Sequence, residues 1–293
     1  VEAAERFGFD HFWFYEHHVS PSGGMPSPNL MIAAAARTTN RIRMGAMVNI
    51  LPYRNPLLVA EEAAMLDTLT NGRLDVGVGR GLKPLEFDTF CVSQAESREM
   101  FLESLELVKR IWADENFTHK GKYFSIDKQS PVCPVLVQKP HPLLLISAQS
   151  EESLRYAAQN DMPFAQIDAL IEDCLRDQKM YRDIQVANGF APEPRLIITR
   201  EIYIADTDEQ ARDEIMPYLL RYWKIWERYS QLTDEGRMPD DYDVWRKRAP
   251  MLHAMDFDEL VERGLVMIGS PKTVAKKMIE HKQKLDLFAL AGV

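Results

Sequence analysis

Apolar positions recur along the chain with two periods, and the elements follow from them. Short runs in which nearly every residue is apolar predict strands buried on both faces, over residues 11–15, 43–50, 74–79, 143–147, 162–166, 197–205 and 285–291. Between them the apolar spacing changes to three and four, which predicts helices over residues 29–38, 56–70, 96–113 and from Ser150 to 159. In the third of these, Phe101, Leu105, Val108 and Trp112 put a single stripe against a core. Punctuation agrees with periodicity. Asn55 precedes Pro56 as an N-cap before a first-turn proline, and Gly72 follows the helix end. The chain opens inside a helix, VEAAERFG, stopped by Gly8.

Strands alternating with helices, with no long polar linker between them, predict an α/β chain with a parallel sheet. Its closed form is a (β/α)8 TIM barrel with insertions, spanning residues 1–293 as one domain. Only seven strands are legible, so the pattern predicts that the first strand falls before Val1 and that the natural chain is longer. Two stretches break the alternation. Residues 115–135 read as a hairpin insertion, and residues 230–250, polar and carrying Trp245, read as a mobile lid.

Composition narrows the function classes. A formal charge of -9, with no lysine or arginine stripe, argues against a nucleic-acid binder. Three widely spaced cysteines without a C-x-x-C fit reduced thiols and a cytoplasmic location better than a disulfide framework or a zinc site. The longest apolar run, LMIAAAA, is far shorter than the ~20 residues of a membrane span, and nothing resembles a signal peptide.

In a barrel the chemistry gathers where strands end, and three strand ends carry suitable residues. YEHH follows the first strand and sets Glu16, His17 and His18 at the rim. Successive strand residues face opposite ways, so at most one histidine looks into the mouth, and the geometry is poor for a metal. Rim histidines hydrogen-bonded to nearby loops explain the pair equally well. GVGRGL crowds Gly77, Gly79 and Gly81 around Arg80. The spacing is not that of the dinucleotide fingerprint, but the glycine face leaves room for a flat ligand and the guanidinium suits an anion. A glycine-lined strand with a surface arginine is the competing account. SAQSEES places Gln149, Ser150 and Ser153 at a helix N-terminus, where hydroxyls cap the helix or bind a phosphate. In barrel order this strand end follows the one that bears Arg80.

Taken together, GFDHFWFYEHH, RIRMGAMVNILPYRNPLLVAEEAAMLDTLTNGRLDVGVGRG and QKPHPLLLISAQSEESLRYAA resemble the bacterial luciferase-like flavin-dependent monooxygenases, and YIADTDEQAR and IGSPKTVAKKM do so more loosely. The resemblance implies a barrel that takes reduced FMN, supplied by a separate flavin reductase, and uses dioxygen to oxidise a small organic substrate through a flavin hydroperoxide. It implies that Arg80 holds the flavin phosphate, with Ser150, Ser153 and Gln149 at the same end. Met47 and Val48 match a strand pair under the flavin ring, where the family often has a non-proline cis peptide, and Gly79 lies beside them. His17 matches a base, and Glu16 an orienting residue. Trp13, Tyr15, His18 and Trp245, with Trp223 and Trp226, are candidate pocket walls, although aromatics at helical spacing more often belong to a core. A homodimer through the surface around Ala33 and Ala36 is implied as well. Where light-emitting members carry a reactive cysteine, this chain has Gly79, a departure that speaks against light emission. The stretch from 162 to 168 is shorter than the strand and loop of the family. Two other readings use the same residues: a deazaflavin-dependent hydride-transfer oxidoreductase, and a non-catalytic flavin-binding relative.

Overall fold

A computed structural model of the chain describes residues 1–21, 24–114, 116–127, 133–230 and 238–293. They form two compact units, Val1–Ser147 and Ala148–Val293.

The first unit runs α1 (Glu2–Arg6), β1 (His11–Phe14), α2 (Pro28–Ala36), β2 (Arg43–Ile50), α3 (Pro56–Leu69), β3 (Leu74–Gly79), α4 (Pro84–Thr89), α5 (Ser97–Ala113), a short antiparallel pair β4 (His119–Lys120) and β5 (Ser125–Ile126), and β6 (Leu143–Ser147). β1, β2, β3 and β6 pair in parallel in that order. All six residues of β3 are buried, as an apolar run covered on both faces requires. Local chemistry sets the helix ends. Asn55 accepts from the Leu57 N–H at 2.9 Å and caps α3, Gly72 takes a φ of 77° just past its end, and Gly8 stops α1 at a φ of 90°. On α5 the expected stripe packs inward through Phe101, Leu105 and Val108, while Trp112 donates its indole N–H to the Ala60 carbonyl.

At the N-terminal ends of these strands one carboxylate ties three of them together. Asp75 on β3 is buried, accepts from His11 Nδ1 of β1 at 3.0 Å, and takes both Nε and Nη2 of Arg43 from β2. Arg43 also donates to the Gly72 and Leu74 carbonyls and to Gln138.

The second unit contains α6 (Glu151–Gln159), β7 (Phe164–Gln166), α7 (Ile171–Ala187), β8 (Leu196–Ile204), α8 (Asp208–Ser230), α9 (Asp243–Ala254), α10 (Phe257–Glu262), β9 (Val266–Gly269), α11 (Pro271–Lys284) and β10 (Leu287–Gly292). β8 is its organising strand, pairing in parallel with β7 and β10 along its first half and with β9 along its second. β9 is a strand that the apolar pattern did not reveal. Its core gathers Leu252, Phe257, Leu260, Leu265 and Val266, with Trp223 packed against them. Of the stretch expected to be a lid, residues 231–237 lie outside the described residues, and the rest is a helical turn, Asp240–Tyr242, leading into α9.

No helix among the described residues is long and apolar enough to cross a membrane.

Candidate functional site

β1 ends at Phe14, and the next four residues leave the strand with two carboxylate–histidine pairs already assembled. His17 Nδ1 lies 3.0 Å from Glu86 Oε1 on α4, and His18 Nε2 lies 2.9 Å from Glu16 Oε1. A carboxylate only accepts, so in the neutral rings His17 carries its proton on Nδ1 and His18 on Nε2. As neutral rings the adjacent histidines are thus opposite tautomers, with Nε2 of His17 the acceptor nitrogen. Glu16 is buried and also accepts from the Ile50 N–H and from Arg54. His18 is packed edge-on against Phe90 at 4.7 Å, and Phe90 stacks on Tyr53 at 4.5 Å. Tyr15 is exposed and lies 5.9 Å from the His17 ring. Trp13 sits apart from this group, stacked on His11 and packed over Gly45.

The ends of β2 and β3 lie side by side, with Asn49 opposite Val78 and Ile50 opposite Gly79. The Met47–Val48 peptide is cis. Both residues are half-buried, as is Arg80 just past β3. The glycine face of β3 is filled rather than open. A Cβ on Gly79 would run into the Val48 side chain, and one on Gly77 into the Ala46 carbonyl. These glycines serve close packing of β2 on β3. Gly81 has a φ of 90°, and a Cβ there would come within 3.0–3.1 Å of Phe87, Ile50 and Tyr53. The turn that carries Arg80 therefore accepts only glycine at this position. Asn49 beside it is buried, and its Oδ1 has no hydrogen-bond partner among the described residues.

In the second unit, Ser150 caps α6. Its Oγ accepts from the Ser153 N–H at 3.3 Å and lies 3.0 Å from Ser153 Oγ, so two hydroxyls stand at the positive end of the helix. Gln149 spends both ends of its amide on protein: Nε2 donates to the Ala165 carbonyl and Oε1 accepts from Arg248 Nη1 at 2.8 Å. Arg248, on α9, also donates to the Ile167 carbonyl and is buried. Trp245 is buried on the same helix, 6.3 Å from Trp226. Midway along β8 burial pushes the Glu201 carboxyl up to about 8, helped by neighbouring Asp168. Burial raises Asp168 too, against the pull of Arg200 and Arg248.

Glu86, Lys83 and Arg248 escape a reading of the sequence. None sits in a motif: Glu86 and Arg248 acquire roles only when a helix brings them to distant residues, and Lys83 through Glu86 three positions on.

The family profile of luciferase-like monooxygenases matches residues 1–286. The oxygenase component of flavin-dependent trigonelline monooxygenase from Acinetobacter baylyi is 25% identical over 248 residues, 80% of this chain and 66% of that protein. The chain spans less than two thirds of the length of some curated relatives it matches, 44% in one case. Among solved structures, the monooxygenase RslO1 of Streptomyces bottropensis superposes with a TM-score of 0.84 at 28% identity, covering 98% of this chain and 82% of that one. The oxygenating constituent of 3,6-diketocamphane monooxygenase from Pseudomonas putida, solved in complex with FMN, has a TM-score of 0.81 at 24% identity, a likeness of fold, and covers 100% of this chain and 83% of that one.

Proposed function

The chain belongs to the luciferase-like monooxygenase family and has its α/β TIM-barrel fold, and from that premise we propose that it is the oxygenase component of a two-component system, taking reduced FMN from a separate reductase and oxidising a small organic substrate with dioxygen. The observation that carries the reading is the paired end of β2 and β3, where the orphaned acceptor of Asn49 stands in register with the strand that delivers Arg80.

The donor chemistry fits FMN in each unit. Arg80 is a guanidinium suited to a phosphate monoester, Ser150 and Ser153 offer hydroxyls at a helix N-terminus, and the buried Asn49 Oδ1 would take a ring N–H. Met47 and Val48 would lie along the ring. Reduced FMN supplies the activation of dioxygen. The protein's part is to hold the phosphate, exclude water with the aromatic group of Tyr53, Phe87 and Phe90, and move a proton at His17 Nε2.

Two measurements test this. Arg80→Ala weakens reduced-FMN binding by about 1.5–3 kcal/mol, the loss of a charge-assisted contact, read by anaerobic titration. Unchanged affinity counts against the assignment. Heavy-isotope dioxygen supplied with chemically reduced FMN and a panel of aldehydes, ketones, aromatics and sulfides places one labelled oxygen in a product. If labelling fails with every substrate while a reduced deazaflavin supports hydride transfer, the chain is a dehydrogenase on the same fold.

The protein acts as a homodimer in this reading. α2 and α3 pack on one another and expose Leu30, Met31, Leu58, Met65 and Leu69, apolar side chains that a second copy would cover. Leu30→Glu with Leu58→Glu halves the mass seen by sedimentation. A wild-type chain that already sediments as a monomer removes the proposal.

A further inference from the structure

Glu86 is the meeting point of groups that the function above does not absorb. Its Oε1 accepts from His17 Nδ1 at 3.0 Å and from the His18 N–H at 3.1 Å, and Lys83 Nζ stands 3.9 Å from the same oxygen. The Lys83 and Glu86 side chains are each 1% exposed. A buried lysine is uncommon, and Lys83 Nζ has no hydrogen-bond partner among the described residues, so its tie to Glu86 is electrostatic. We propose that Lys83 and Glu86 are positioning residues that set the protonation form of His17: Glu86 holds the ring as the Nδ1–H tautomer, and the Lys83 ammonium offsets Glu86 so that Nε2 stays an open acceptor. The inference rests on His17 being the base of the proposed oxygenase.

A lone carboxylate against an imidazole favours the imidazolium, which has no lone pair left for accepting a proton. A cation near the same carboxylate oxygen offsets the effect and leaves the orienting hydrogen bond in place. The other neighbours among the described residues do not compete. Tyr15 meets the ring through its own ring, the His17 N–H donates to the Met25 carbonyl, and Glu16 is committed to His18, Arg54 and the Ile50 N–H. Burial pulls the Lys83 ammonium below the usual lysine range, and Glu86 opposes that fall.

Ring-nitrogen NMR of His17 in the flavin-free protein provides the test, on the wild type, Glu86→Gln, Lys83→Met and Lys83→Arg. In the wild type the neutral ring is the Nδ1–H tautomer. At one mildly acidic pH the ratio of imidazolium to neutral ring falls about tenfold in Glu86→Gln and rises about threefold in Lys83→Met. Lys83→Arg keeps the charge and stays near the wild type. The acid limb of kcat/KM moves with the ring, to lower pH in Glu86→Gln and to higher pH in Lys83→Met. A purely structural role would give two variants that lose stability without opposite changes at His17. The proposal is overturned by an Nε2–H tautomer in the wild type, by ring ratios that do not move or move the same way, or by an acid limb that ignores them. Opposite ring changes in a chain that oxygenates nothing uphold the charge setting and defeat the oxygenase reading instead.

Discussion

Replacing His17 by alanine is expected to lower kcat for reduced-FMN-dependent oxygenation by about a hundredfold to ten-thousandfold, the range lost when a positioned acid–base group is removed. The Kd for reduced FMN stays where it is, because His17 is not among the donors proposed for the cofactor. The split between an unchanged Kd and a collapsed kcat is the diagnostic part. Single-turnover kinetics measure both on the same sample. If kcat survives, His17 is not the proton-handling group. If FMN binds and no substrate is consumed even by the wild type, the chain is a binding relative without chemistry.

The second large effect concerns stability. Asp75→Ala removes the one carboxylate that joins β1, β2 and β3 at their N-terminal ends, leaving Arg43 and His11 without their acceptor. Breaking a buried pair from one side costs about 3–5 kcal/mol. Arg43 keeps some solvent contact and its carbonyl partners, so about 3 kcal/mol is expected. The shift in urea midpoint at constant m measures it, and a loss below about 1 kcal/mol would mean that the sheet does not depend on this clamp. The two predictions separate the ends of the strands: chemistry follows their C-terminal ends, and stability their N-terminal ends.

Much of the first unit is legible in the sequence because its strands are apolar runs bounded by strong turn signals. The limits of β2, β3 and β6 coincide with the runs that predict them, and Asn55 and Gly72 bracket α3 as their chemistry requires. The second unit is harder to read. β9 is four residues long, too short for periodicity to separate it from a helix end, and α8 exposes Tyr218, Leu220 and Tyr222 beside the face that packs on the core. Trp245 marks a pocket wall by composition but lies buried in α9, since a tryptophan satisfies a core as readily as a ligand. At the site, the residue types were recognisable and their partners were not. His17 stands out in YEHH, whereas Glu86 joins it from 69 positions away, and no local pattern encodes such a meeting.

Arg248 bridges an even longer interval, bonding to Gln149 across 99 positions. Gln149 immediately precedes the cap of α6, so melting of α9 would strip the start of α6 of its buried tether. Early and late parts of the second unit should therefore open together, as one cooperative block in hydrogen exchange, rather than fraying helix by helix from the chain end.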